Sequence, residues 1–523
     1  MTACLIGVDL GTTGGKAVLV DEHGTVHGTA WREYPMHRPQ AGWAENDPED
    51  WVRAVAGMIR DVVASSGVTP DSVKAVSIVA LRDPVVLLDA AGEVLTPSIS
   101  WLDRRDQDET EAIFRDLGRS HIIEVTGVVP VPALTLPNLV WTRRHLPDVW
   151  RRARHAVFVK DYVIYRLTGE IATDFSTQSR SLLNDISTNT WSKEICEYAQ
   201  IPVELLPEVK YDPWAPRAVL DAKAAESLGL RAGTILSAGG GDDQAAALGS
   251  GAVAVGDISA GTGTASCWRV VSDRAIVDPA GRADLSVHVA PGRYLYEMTI
   301  AGTGLSLRWF RDVFGGIVAE GTAPSATYDA LVEEAMQVPP GADGLVFYPY
   351  LDGSRLPYFN EDASGVFFGI TATHRRAHFV RAILEGVAYQ YPALAKLVEQ
   401  YSKRIGLISI VDGEARSRAW NSIKADVLGL PIRTTHTVEA AAIGSAILAG
   451  VAGGVFASVE AGADALVSTG EVFEPDPARH AVYERERARY EAVYRHLDVA
   501  FHDARLAARE PGAVKEGAIG MLA

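Results

Sequence analysis

Two stretches of this 523-residue chain, nearly half its length apart, have the same order: apolar strand, glycine–threonine turn, apolar strand. In the first, residues 4–10 read as a buried strand, Gly11-Thr12-Thr13-Gly14-Gly15 as a turn, and residues 16–21 as the hairpin partner. In the second, residues 252–259 are strand-like, Gly261-Thr262-Gly263-Thr264 is the turn, and residues 265–271 are strand-like again. A chain this long exceeds what one hydrophobic core supports, so at least two domains are expected. The repeated hairpin narrows that to a duplicated α/β domain whose two turns face one cleft, against the alternative of two unrelated hairpins that both use Gly-Thr.

The remaining elements follow the same α/β pattern. Residues 25–31, 75–79 and 85–88 read as strands, and residues 106–117 as a helix. Asn46-Asp47-Pro48-Glu49 is a start signal for a helix over residues 47–65, because it joins a capping side chain, a first-turn proline and acids near the positive helix end. Apolar residues at helical spacing predict one helix over 378–401, with further helices over 417–428 and 438–450, the last rich enough in Ala, Ile and Gly to be fully packed. Residues 476–509 form a charged helical stretch ending at Pro511, and the tail from Gly512 is expected to be loose. The expected domains are 1–250, 251–480, and an appended helix and tail over 481–523.

The formal net charge of −17 argues against a nucleic-acid partner but leaves room for a nucleotide, which needs only a local positive site. No apolar run approaches the roughly 20 residues a membrane helix requires, and the first residues lack the basic and apolar regions of a signal peptide. Cys4, Cys196 and Cys267 lie far apart, which fits buried thiols in a reducing cytoplasm. His121, His288 and His378 have no zinc-type spacing, so no structural zinc is expected.

The chemistry concentrates at Gly239-Gly240-Gly241-Asp242-Asp243-Gln244 and at Asp9-Leu10-Gly11-Thr12-Thr13. Gly-Thr turns leave main-chain N–H groups open to phosphate oxygens. A carboxylate after three glycines, Asp242, is placed to accept the proton of an attacking hydroxyl; its other reading is a helix N-cap before Gln244. Together the two stretches predict a cleft where a polyphosphate, its metal ion and an acceptor hydroxyl meet, as in an ATP-dependent small-molecule kinase.

Several motifs, in order along residues 5–456, resemble the FGGY carbohydrate kinases, which include glycerol kinase, xylulokinase, ribulokinase and gluconokinase. They are Trp101-Leu102-Asp103-Arg104-Arg105, Lys160-Asp161-Tyr162 through Leu167-Thr168-Gly169, Gly241-Asp242 and Ala425-Asp426-Val427-Leu428-Gly429-Leu430-Pro431. The most specific is Gly365-Val366-Phe367-Phe368-Gly369-Ile370, then residues 371–377, then His378-Phe379-Val380-Arg381-Ala382-Ile383-Leu384-Glu385. The resemblance implies two ribonuclease-H-like domains of the actin and hexokinase type, flanking a cleft. It also implies ATP and Mg2+ as cofactors, a small sugar or polyol as substrate, and a homodimer as a common assembly.

The same resemblance implies roles residue by residue. Asp242 would be the catalytic base and Asp9 the magnesium-holding acid. Gly11, Thr12, Thr13 and Lys16 would contact the β- and γ-phosphates, with Gly261 and Thr262 contributing from the other domain. Gly304, Arg308, Gly413, Glu414 and Arg418 would line the nucleotide; Glu414 stands where relatives carry glycine. In the acceptor loop Ala80-Leu81-Arg82-Asp83-Pro84, Arg82 and Asp83 would hold hydroxyls as in glycerol kinase, with Asp243 accepting another, whereas a solvated Arg82–Asp83 surface pair is the alternative. Ala133 replaces an aromatic residue of glycerol kinase, which should enlarge the pocket. Thr135-Leu136-Pro137-Asn138 and the Lys160 motif look more like the xylulokinase branch, although Asn138 departs from its lysine. The expected reaction is phosphorylation of a terminal hydroxyl of a ketopentose, best D-xylulose. Ribulose, erythritol, gluconate and glycerol are alternatives, as are a non-catalytic sugar-responsive regulator and an actin-like ATPase.

Overall fold

The computed structural model describes residues 2–262, 265–314, 324–436 and 439–509. The Gly263-Thr264 part of the second turn and the tail from Gly512 lie outside them.

Two large sheets organise the chain. The first contains β1 (Cys4–Leu10), β2 (Gly14–Asp21), β3 (Val26–Glu33), β4 (Val73–Ala80), β5 (Pro216–Val219) and β6 (Ile235–Ser237), in the order β5-β6-β4-β1-β2-β3. The second contains β7 (Ile258–Thr262), β8 (Ser266–Ser272), β9 (Asp284–Val287), β10 (Tyr294–Ile300), β11 (Ile408–Asp412), β12 (Ile432–Thr435) and β13 (Thr469–Phe473), in the order β9-β10-β8-β7-β11-β12-β13. In each, a central strand (β1 or β7) is hairpinned to an antiparallel neighbour and flanked on its other side by a parallel strand. The five-strand order β3-β2-β1-β4-β6 therefore recurs as β10-β8-β7-β11-β12. This is the duplicated ribonuclease-H-like arrangement. Almost every β1 and β4 side chain is buried, as expected for strands covered on both faces.

Local chemistry sets the helices that frame the cleft. In α1 (Pro48–Ser66) the Asp47 carboxylate accepts the Glu49 N–H at 3.0 Å, and Pro48 occupies the first turn, where no N–H is missed. A short helix, α2 (Phe175–Gln178), is capped by Asp174 in the same way. Helix α3 (Asp242–Gly249) follows the three glycines.

Two expectations change. The helix predicted over 378–401 is two helices, α4 (Arg376–Ala388) and α5 (Tyr391–Ser402), because Pro392 has no N–H and starts a new first turn. The strand predicted from residue 252 begins only at Ile258. Before it, the Asp257 carboxylate accepts from Val253 and Ala254 N–H, and Gly256 turns the chain at φ +88°.

Helix α6 (Ala440–Ala452) is buried almost throughout and, although it comes late in the chain, packs on β1 and β4 of the first sheet and against α3. The contact is backbone to backbone. A side chain at Gly249 would collide with the Ala440 carbonyl, one at Gly444 with that of Ala245, and one at Gly7 with that of Ala442. The final helix, α7 (Pro477–Arg509), lays Tyr483, Tyr490 and Tyr494 into the core; the Tyr350 and Tyr490 hydroxyls lie 2.8 Å apart. No helix among the described residues is long and apolar enough to cross a membrane.

Candidate active site

The three glycines that precede α3 are each enforced by a different neighbour. Gly239 has φ +68° and would push a side chain into the Ile78 carbonyl of β4. A Cβ on Gly240 would sit 2.7 Å from Ser176 Oγ, and one on Gly241 would strike Arg82. Main-chain bonds join this loop to its surroundings: Ala80 N–H donates to the Gly240 carbonyl at 3.2 Å, and Leu81 N–H to the Leu10 carbonyl at 3.2 Å. The end of β1, the Arg82 loop and the glycine loop thus meet.

Gly241 takes the cap position, so Asp242 is the first residue of α3 rather than its cap. Burial first, then the Asp243 carboxylate, raise the Asp242 pKa well above the usual carboxylate range; Arg82, with Nε 3.5 Å away, works in the other direction, and Asp9 adds to the rise. Asp9 closes β1, level with Lys16 on β2 and Val79 on β4. Tyr34 donates its hydroxyl to the Gly11 carbonyl, and its pKa is raised by burial, Asp9 and Asp242. Asp9, Tyr34 and Asp242 therefore lie near enough to influence one another beside the first Gly-Thr turn. That turn is closed by Gly11 N–H on the Gly14 carbonyl at 3.1 Å, and the half-exposed Trp101 indole donates to Thr12 Oγ1 at 2.9 Å. Thr13 is exposed on the same turn. Lys16 is half-exposed and ion-paired at 2.5 Å with Glu439, which precedes α6.

Arg82 is not the solvated surface partner of Asp83 that the sequence left as an alternative. It is 4% exposed and holds Glu297 in a two-pronged contact at 2.6 and 3.0 Å, and Asp243 at 2.5 Å. Asp83 does not pair with it at contact distance; it faces Arg180 at 3.6 Å, and burial raises its pKa against the pull of Arg180 and Arg82. Arg269 of β8 holds the other Asp243 oxygen at 2.5–2.6 Å, and Arg180 holds Asp284 of β9 at 2.5 Å. Burial opposes ionisation of Asp243, yet Arg269 and Arg82 outweigh it and keep this carboxyl below its ordinary range. Three arginines and five acids thus form one lattice across the floor of the cleft, and four of its pairs, Arg82–Glu297, Arg180–Asp284, Arg180–Glu297 and Arg269–Asp243, join the two halves.

Ala133 does not open a pocket. It is fully buried at φ 70°, and its N–H donates to both Asp106 oxygens at 3.0 Å, while Asn138 donates to its carbonyl at 3.2 Å. Gly261 lies inside β7, between Cys267 and Val411, so the strand extends further than the sequence suggests; the Thr262 side chain is outside the described residues. Gly304 lies in the first turn of the helix Thr303–Phe314, with Arg308 exposed on it. Gly413 begins a 3-10 turn after β11, and a Cβ there would meet open space. The Glu414 side chain is outside the described residues. Arg418 is exposed and pairs with Glu471 of β13.

Sequence reading missed Glu297, Arg269, Arg180, Asp284 and Tyr34. A signal existed for two of them: Arg269 and Glu297 interrupt otherwise apolar strands, and in the sheet they are direct cross-strand partners.

Residues 4–249 match the model of the FGGY family of carbohydrate kinases, N-terminal domain, and residues 257–453 match its C-terminal domain. The xylulose kinase of Lactococcus lactis subsp. lactis (strain IL1403) is 31% identical over 504 residues, covering 95% of this chain and 98% of that protein. The gluconokinase of Bacillus subtilis (strain 168) is 28% identical over 480 residues, covering 90% and 91%. The crystal structure of xylulose kinase from Rhodospirillum rubrum superposes with a TM-score of 0.87 at 31% identity, covering 95% of this chain and 100% of that one.

Proposed function

The chain belongs to the FGGY family of carbohydrate kinases and is a sugar phosphotransferase; from that premise we infer that it moves the γ-phosphoryl group of ATP to a terminal hydroxyl of a neutral ketopentose, D-xylulose being the best single candidate. The observation that carries the reading is the junction of the Asp9 strand end, the glycine loop before Asp242 and the first Gly-Thr turn, tied by Leu81 N–H on the Leu10 carbonyl, Ala80 N–H on the Gly240 carbonyl and the Tyr34 hydroxyl on the Gly11 carbonyl.

Phosphoryl transfer asks a protein for position and charge rather than covalent chemistry. The acceptor hydroxyl lies against Asp242, which takes its proton as the oxygen attacks phosphorus. The raised pKa makes Asp242 a stronger proton acceptor than an ordinary carboxylate. Main-chain N–H groups of Thr12 and Thr13, with Lys16, receive the terminal phosphates where Gly11 leaves the turn open, and Gly261 and Thr262 approach from the second half. The Asp9 carboxylate, at the end of β1 beside the first Gly-Thr turn, fits a hydrated Mg2+ that prefers few acids and several waters; when bound, it would neutralise phosphate charge. Residues 1–250 then carry the acceptor, residues 251–480 the nucleoside, and Gly304, Arg308, Gly413, Glu414 and Arg418 border the latter.

The charge of the cleft floor selects among substrates. Arg82, Arg180 and Arg269 are each already held by acids, and acids outnumber them. An aldonate carboxylate would add a further negative charge with no unclaimed arginine among these three, so a neutral sugar is favoured over gluconate. The test is ADP release with D-xylulose, D-ribulose, erythritol, glycerol and gluconate, alongside Asp242→Asn. We expect turnover with a ketopentose, none with gluconate, and a loss of about a hundredfold to ten-thousandfold in Asp242→Asn. Undiminished turnover in Asp242→Asn, or gluconate as the best acceptor, would overturn the reading.

A further inference from the structure

A second buried network lies behind the glycine loop, entirely within the first half. Lys160 is 1% exposed, with Nζ 2.7 Å from Asp161 and 2.8 Å from Asp174. Arg217 holds Asp161 at 2.6 Å, and Thr173 donates to its other oxygen at 2.7 Å. Two cations face two buried acids, and at the edge Arg217 also meets the half-buried Glu170 at 3.5 Å, which Lys210 holds at 2.7 Å, so the cluster stays balanced. Asp174 does more than cap α2. Its Oδ1 accepts the N–H groups of Ser176 and Thr177 and also the Ser176 hydroxyl at 2.5 Å. The Ser176 oxygen in turn accepts the buried N–H of Gly241, the residue before Asp242, at 3.0 Å.

Resting on the assignment of Asp242 as base, we propose that Lys160, Asp174 and Ser176 form a relay of positioning residues that sets the main chain carrying this carboxylate. Lys160 fixes Asp174, Asp174 orients the Ser176 hydroxyl, and that hydroxyl satisfies the Gly241 N–H, one residue before the base. The oxygen is the only part of Ser176 the relay needs. Gly240 packs so tightly against it that no other atom fits between. The same short segment reaches the second half, where Ser179 Oγ accepts the Val287 N–H of β9 at 3.0 Å. Docking of the halves and placement of the base thus run through six residues, 174–179. Removing the Ser176 oxygen orphans a buried N–H and lets the loop relax by a few tenths of an ångström, enough to misplace a carboxylate that must meet a hydroxyl.

The test uses the whole protein carrying Ser176→Ala, with Ser176→Cys as a variant that keeps a polar atom and Asp242→Asn as the reference. Ser176→Ala should lower kcat about tenfold or more, change the sugar KM less than threefold, shift the acid limb of the kcat–pH profile, and speed hydrogen exchange at Gly241. Ser176→Cys should recover part of the kcat. Ser176→Ala with kcat within twofold of the parent, or with a lowered melting temperature but an unmoved pH profile, overturns the relay. If Ser176→Ala does not fold, an unmoved pH profile in Ser176→Cys overturns it equally. The two readings fail separately: active Asp242→Asn removes the base itself, whereas inactive Asp242→Asn beside normal Ser176→Ala removes only the relay.

Discussion

Two buried charge networks flank the same glycine loop, and they are built on opposite terms. The Lys160–Asp161–Asp174–Arg217 cluster balances two cations with two acids, is wholly enclosed, and stays within the first half. The Arg82–Arg180–Arg269 lattice faces five acids, borders the cleft and crosses between the halves. A buried charge persists only where partners compensate its lost hydration. The balanced cluster meets that condition and serves as scaffold. The acid-rich lattice does not, and burial first, then the neighbouring acids, raise the proton affinity of Asp242. Surplus charge is tolerated where chemistry uses it.

The sharpest way to break this contrast is to remove one charge from each side. Lys160→Met should lower unfolding free energy by about 3–5 kcal/mol, the cost of stranding a buried partner, read as a drop in denaturant midpoint. Asp242→Asn should have the opposite sign at neutral pH. Because the folded Asp242 pKa lies above its unfolded value, the stabilisation from its proton is present in acid and lost as pH rises through the folded pKa. Asparagine mimics the protonated form, so the melting temperature should rise at pH 7 by about 2 °C, the size of a ~1 kcal/mol effect, and the gain should vanish in acid. A variant that melts lower at pH 7 would show the acid surplus carries no strain.

Smaller effects sharpen the lattice itself. Neutralising Glu297 with Glu297→Gln leaves more of the Arg82 charge for Asp242, so the acid limb of kcat should move to lower pH; movement upward would contradict the geometry. Smallest of all, Glu439→Gln should release Lys16 for the phosphates and lower the ATP KM by no more than about fivefold, since exposed pairs are worth about 0–1 kcal/mol.

The repeated hairpin and its first Gly-Thr turn were visible in the sequence because turn chemistry is local, whereas Gly261 and Thr262 end a strand. Asp9 and Asp242 were visible because glycine leaves a mark beside them. Arg82 was found but its partners were not: nothing near it in sequence announces Glu297, which reaches it from a strand in the other half. The family motifs mixed two purposes. In Trp101-Leu102-Asp103-Arg104-Arg105, Trp101 reaches the phosphate turn, whereas Asp103 and Arg105 pair in the interior. Glu385, in the most specific motif, accepts Arg381 and the Gly341 N–H and so holds packing together. The tyrosine stripe of α7 escaped notice because arginine and glutamate dominate its composition.

The glycine contacts between α3 and α6 act as a bearing. Where two backbones touch with no side chain between them, the halves can swivel about that line but cannot part along it, so any opening of the cleft grows with distance from the bearing. A single methyl at Gly249 or Gly444 would act as a shim, prising the joint apart at the fulcrum while leaving every substrate-facing residue unaltered.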